Sequence, residues 1–164
     1  MIEITLTKEG GFGGYVDFFQ SLDSSQEILI EGCCRCIGII IIWKKREDIS
    51  KNILASQYAS SSFHIPPYSR KAKNSRSQFF RLINYLKKAY EPKSLFYCGG
   101  KIDTEQNRIH YERSKNFFIL PLQKLFPDMH IEGLDPVSTQ ASSSMYMNEF
   151  LEIVIERFDY AINE

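Results

Sequence analysis

Residues 10–14, Gly10-Gly11-Phe12-Gly13-Gly14, follow an alternating stretch at 2–7 that reads as a strand. A glycine-rich turn after a strand is where nucleotide phosphates are often held. A phosphate cradle needs Gly-x-Gly-x-x-Gly opening a helix, or a Lys-Ser/Thr pair after the last glycine, and here Tyr15-Val16 follows. The cluster therefore reads as a turn exploiting positive φ. His130-Ile131-Glu132 matches half of the zinc-deaminase signature, but no Pro-Cys-x-x-Cys accompanies it. Glu91-Pro92-Lys93 has the Glu-x-Lys spacing of metal-dependent nucleases, which works only on a strand that turns both side chains to one metal. The sequence places Pro92 just past a helix, so that chemistry is not expected. The histidines, His64, His110 and His130, stand beside no recognisable Ser or Cys nucleophile. Cys33, Cys34 and Cys36 crowd together, with Cys98 apart. Strand neighbours point to opposite faces and bridge poorly, and the one Cys-x-x-Cys spacing, Cys33 to Cys36, has no second cysteine pair or His-x-x-x-His to complete a zinc site. Reduced structural thiols are expected, with no catalytic centre, no metal and no cofactor.

The bulk numbers narrow the partners. The 164 residues suit one domain over 1–164, and 43% hydrophobic with 24% charged is ordinary globular composition. Lys plus Arg and Asp plus Glu number 20 each. A dedicated nucleic-acid binder usually carries a basic excess, so nucleic acid is not the expected partner. Arg70, Lys71, Lys73 and Arg76, followed by Arg81 and Lys88 and joined by Phe63 and Tyr68, form the candidate phosphate-contacting patch; a solvated helix face has the same composition. The most apolar run, 37–43, is shorter than the roughly 18 residues of a membrane helix, and the first residues are not those of a signal peptide. A cytoplasmic protein without membrane contact is expected.

Positioning elements follow from periodicity. Strands are predicted at 2–7, 27–31, 34–43, 95–98 and 108–111, with a short apolar stretch at 117–120 and a helical turn at 121–126. The run at 34–43 is aliphatic on both faces, which suits a central strand covered on both sides. Helices are predicted over 48–58 from an Asp48 N-cap, over 75–90, which Pro92 ends, and over 144–162. Loops are predicted at 59–74 and 136–144. The expected class is α+β or α/β: a central mixed sheet with an isoleucine-rich buried strand and about three main helices.

On a helical wheel for 144–162, Met147, Phe150, Leu151, Val154, Phe158 and Ile162 share an apolar face. Glu149, Glu152, Glu156 and Asp159 line the opposite side, with Ile153 and Tyr160 projecting beside them. Acids flanked by an aliphatic and an aromatic anchor have the composition of a protein-binding strip.

The isoleucine run at 37–43, the unpaired Cys33, Cys34 and Cys36, the neutral charge and the acidic ridge from Glu149 to Asp159 together resemble small bacterial immunity proteins. These are encoded beside contact-dependent and other polymorphic toxins. The resemblance implies a cytosolic protein that binds a cognate toxin domain tightly and has no catalysis of its own. The alternative is an enzyme on nucleotides or nucleic acid that uses the glycine-rich turn.

Overall fold

The computed structural model describes residues 2–5, 18–21, 27–33, 37–46, 52–60, 66–137 and 141–159. The isoleucine run forms β4 (Ile37–Lys45), paired antiparallel with β5 (Asn52–Ser60) on one side and β6 (Tyr90–Gly99) on the other. With β2 (Phe18–Ser21) beside β5, and β7 (His130–Leu134) running parallel to β6, the sheet has five strands ordered β2-β5-β4-β6-β7. A second sheet of four strands places β1 (Ile2–Thr5), β3 (Ile28–Cys33), β8 (Ala141–Met147) and β9 (Ile153–Asp159) side by side in that order. The helices are α1 (Arg70–Leu86) and α2 (Glu105–Leu125), the latter crossing over between the parallel β6 and β7.

Alternation along β4 decides how the layers stack. Ile37, Ile39, Ile41 and Trp43 pack with Phe79, Ile83 and Leu86 of α1 and with Phe118, Ile119 and Leu122 of α2. Ile40 and Ile42 face the other way, onto Ile28, Ile30, Met145 and Met147. The order is therefore helices, five-stranded sheet, four-stranded sheet, and β4 is buried on both sides as its composition predicts. Each such isoleucine contributes about 1.5–3 kcal/mol by leaving water. At Gly38 a Cβ would lie 3.1 Å from Ile30 Cγ2 and 3.2 Å from Cys33 Sγ, so the missing side chain lets the sheets approach. Pro92 sits where the β4–β6 register shifts, before the Ser94–Cys98 stretch that β7 pairs with, so no ladder bond needs its absent N–H.

The α+β class stands, but the arrangement differs from the expected single sheet with three helices: there are two sheets and, among the described residues, two long helices. Most of the helix expected over 48–58 is β5, because the second edge of β4 must be hydrogen-bonded and pairing outweighs a good N-cap. Helix α1 starts within the expected 59–74 loop, where Ser69 accepts a hydrogen bond from the Ala72 amide at 3.3 Å, and it ends before Tyr90, which opens β6. The strand expected at 108–111, the apolar stretch at 117–120 and most of the helical turn at 121–126 all lie in α2. Its Thr104 cap accepts from the Asn107 amide at 3.1 Å, and Pro121 sits inside it without ending it.

The largest departure is at 144–162, where the described residues form a β-hairpin rather than a helix. Asn148 builds the turn: its amide donates to the Glu152 carbonyl at 3.0 Å, its carbonyl accepts from Leu151 N at 3.1 Å, and its side-chain oxygen accepts from Phe150 N and Glu152 N at 2.9 Å each. Leu151 takes the left-handed position at φ 63, usually held by glycine or asparagine. Its side chain packs against the inter-sheet core, which offsets the strain. Met145, Met147, Ile153 and Ile155 alternate inward with a period of two.

Candidate interaction surfaces

The four-stranded sheet has one face on the core and one outward. Outward rows follow from register: Leu29, Tyr146 and Val154 are neighbours across β3, β8 and β9, Ser144 pairs with Glu156, and Ser142 pairs with Phe158. Glu31 and Glu156 are exposed, Val154 and Phe158 are 50% and 49% exposed, and Phe150 in the hairpin turn reaches 72%. Tyr146 donates its hydroxyl to Glu27 Oε1 at 2.5 Å, and this bond to a carboxylate raises the phenol's pKa. Among the described residues of this sheet and its turn the only cation is Arg157. It lies between the outward Glu156 and Phe158, and its guanidinium donates to the Asp135 carbonyl instead.

The residues expected on a helical ridge are thus redistributed. Glu149 and Glu152 lie exposed in the turn, and Glu156 faces outward on β9. Ile153 packs against the inter-sheet core rather than projecting beside the acids. Asp159 ends β9 opposite Ala141, and Tyr160 lies outside the described residues. Sequence reasoning missed Leu29, Glu31 and Tyr146, which reach this face only because β3 pairs with a strand far along the chain. Strand alternation applied to both segments would have found them.

On the opposite side of the molecule, α1 presents Arg70, Lys71, Lys73, Arg81 and Lys88 to solvent, Lys88 from the turn just past the helix end. Arg76 is turned aside: its guanidinium lies 4.3 Å from the Phe117 ring centroid and donates to the Pro67 carbonyl at 3.0 Å. Neighbouring α2 is built differently, with Arg108 held between Glu105 and Glu112, at 2.9 Å from the latter.

One polar cluster sits at the C-terminal ends of the parallel strands β6 and β7, where α/β units commonly gather ligands. Asp135 Oδ1 accepts from Tyr97 OH at 3.2 Å, Tyr111 OH at 3.1 Å and Lys115 Nζ at 2.7 Å. The Lys115 ammonium also lies 4.8 Å from the centre of the Tyr97 ring. Burial raises the Tyr111 pKa, and the Asp135 carboxylate adds to the shift. Partial burial alone would raise the Asp135 pKa, but the hydrogen bonds and charge of Lys115, aided by both tyrosines, leave it lowered. Burial likewise opposes charge on Lys115, yet Asp135 and Tyr97 leave its pKa raised. A phenol kept so firmly neutral is a poor base near pH 7. The cluster acts as a clasp tying α2, β6 and the segment after β7 together.

This clasp has a pH signature. Unfolded tyrosine ionises near pH 10, whereas folded Tyr111 resists ionisation. Its contribution is complete below about pH 10 and is lost as pH rises, by up to about 1.4 kcal/mol per unit until the folded group titrates. Urea unfolding between about pH 8 and 11 should show wild type losing stability more steeply than Tyr111→Phe. Parallel curves would show that Tyr111 is not the group concerned.

The remaining motifs do not assemble. Residues 10–14, Cys34, Cys36 and His64 lie outside the described residues. Glu91-Pro92-Lys93 is on strand β6 rather than beyond a helix, but Glu91 and Lys93 pair with each other at 3.2 Å. They line a shallow cleft of about 230 Å³ with Arg46, Phe126, Asp128 and Met129. His130 and Glu132 form an exposed pair at 3.4 Å. His110 is buried against Gln106 at 2.7 Å, and its Nδ1 has no hydrogen-bond partner among the described residues. Cys33 and Cys98 are buried thiols. Among the described residues no cluster of His, Cys, Asp and Glu could hold a metal ion, and no helix is long and apolar enough to cross a membrane. Compared with known protein families and with curated proteins, the chain matches none.

Proposed function

We propose that this is a non-catalytic binding protein of the immunity or inhibitor type, which neutralises a basic toxin domain by protein–protein contact. The supporting observation is the outer face of the four-stranded sheet, where Glu31 and Glu156 flank half-exposed Val154 and Phe158 without an opposing cation among the described residues of that face. Acids steer a basic partner, exclude like-charged competitors and set register, while exposed aromatic and aliphatic side chains supply desolvation energy. A toxin that acts on nucleic acid carries the positive charge this face would meet. The buried thiols Cys33 and Cys98 suit a reducing compartment, in keeping with a cytoplasmic site of action.

The test is co-purification with the products of adjacent reading frames, followed by titration of Glu31→Lys/Glu156→Lys against the partner captured. Both positions are exposed, so the circular dichroism spectrum should not change while affinity falls by about 100-fold, mostly in association rate and most strongly at low salt. The proposal is wrong if no neighbouring product binds, or if the double reversal leaves affinity intact.

A further inference from the structure

Formal neutrality averages over two unlike faces. Glu31, Glu149, Glu152 and Glu156 are exposed on the four-stranded sheet and its hairpin turn, whereas no Asp or Glu occurs anywhere from Asn52 to Tyr90, a stretch that includes all of α1. A solvated helix face commonly interleaves both signs, because pairs at i and i+4 stabilise it; α2 does so through Glu105, Arg108 and Glu112. Helix α1 does the reverse. Continuing the helical repeat, Arg70, Arg81 and Lys88 fall within about 20° of one line and span roughly 27 Å. Arg70 and Lys73 occupy the first turn, where the positive end of the macrodipole disfavours cations and the helix itself supplies no acid. A polyanion lying along this face would relieve both the mutual repulsion and the dipole mismatch.

The rest of the face suits one kind of polyanion. Exposed Asn74 and Asn84 add donors of the type that contacts phosphate and sugar. Tyr68 and Tyr85, 64% and 66% exposed, stand toward the two ends of the row. Exposed rings stack on bases only when those bases are unpaired. We infer that the outer face of α1 binds single-stranded nucleic acid, with Arg70, Arg81 and Lys88 on phosphates spaced along one strand and Tyr68 and Tyr85 as stacking platforms. The balanced composition that argued against nucleic acid conceals this surface.

The probe is a labelled single-stranded oligonucleotide of about 15 nucleotides, as DNA and as RNA, read by fluorescence anisotropy between about 50 and 200 mM salt. Binding should weaken steeply with salt. Arg81→Gln/Lys88→Gln should lower affinity at least about 10-fold and flatten the log–log salt slope by about 1.4, since each phosphate contact on a single strand contributes about 0.7. Tyr85→Ser should lower affinity with the slope unchanged, and Lys124→Gln on α2 should change neither. Glu31→Lys/Glu156→Lys should retain this binding, which separates it from recognition of a basic protein. Absence of binding at low salt, equal affinity of the double glutamine variant, or preference for a duplex or for phosphatidylserine vesicles overturns the inference.

Discussion

Replacing Trp43 with alanine is expected to remove about 3–5 kcal/mol of stability, the usual cost of truncating a fully buried large aromatic residue. Trp43 is 0% exposed where β4 meets both helices, and its ring stands edge-on to Phe126 with centroids 6.2 Å apart. Neither helix can collapse into the space, because Phe79, Phe118 and Leu122 hold them off the sheet. Urea unfolding followed by circular dichroism measures the loss, and Trp43→Phe, which keeps most of the volume, should recover more than half of it. As the chain's one tryptophan, Trp43 should also give wild type a blue-shifted emission that moves red on unfolding. A loss below about 1 kcal/mol would mean that this layer is loosely packed.

The second large effect is expected at two glycines that carry tyrosine rings. A Cβ on Gly133 would lie 2.1 Å from the ring of Tyr97, its register partner on β6, and one on Gly100 would lie 2.6 Å from the Tyr111 ring. Gly100 also has φ +87, where an L side chain is strained. Gly133→Ala should cost about 1–3 kcal/mol by overpacking alone. Gly100→Ala adds strain of about 1–3 kcal/mol to a similar clash and should cost more. Both rings reach Asp135, so either variant should also disturb the clasp, seen as altered protection of amides in 130–137 by hydrogen exchange. Urea midpoints within error of wild type in both variants would contradict the ring placement.

The legible part of the fold was the part whose residues admit one reading. A run with isoleucine at 37 and 39–42 is aliphatic on both faces whatever its neighbours, and β4 is covered on both sides. The apolar spacing of Phe79, Ile83 and Leu86 located the middle of α1, while its start needed the Ser69 cap. The hairpin at 141–159 was misread because Met147, Leu151, Val154 and Phe158 satisfy a helical repeat while Met145, Met147, Ile153 and Ile155 satisfy alternation. Only the turn chemistry of Asn148 distinguishes the two. Pairing with β4 overrode the local signals in β5, and Pro121 concealed the continuity of α2.

The surfaces were less legible than the core. Glu149, Glu152 and Glu156 were recognised as significant, but by a wheel that does not apply, and Glu31 joins them only through long-range pairing. The basic residues were visible, while the lack of acids within 52–90 became meaningful only once α1 had an outer face. The clasp was not legible, because Tyr97, Tyr111, Lys115 and Asp135 have no spacing that marks them.

The pairing of β3 with β8 also orders events during synthesis. Ile28 to Ile30 must find Met145 to Met147, so the four-stranded layer closes only after the last hairpin has left the ribosome. The five-stranded layer and both helices need only residues 18–134 and can form beforehand. In the interval Ile40, Ile42 and Cys98 lack the cover of Met145 and Met147 on one side of an already formed sheet, an apolar surface of the kind that favours aggregation.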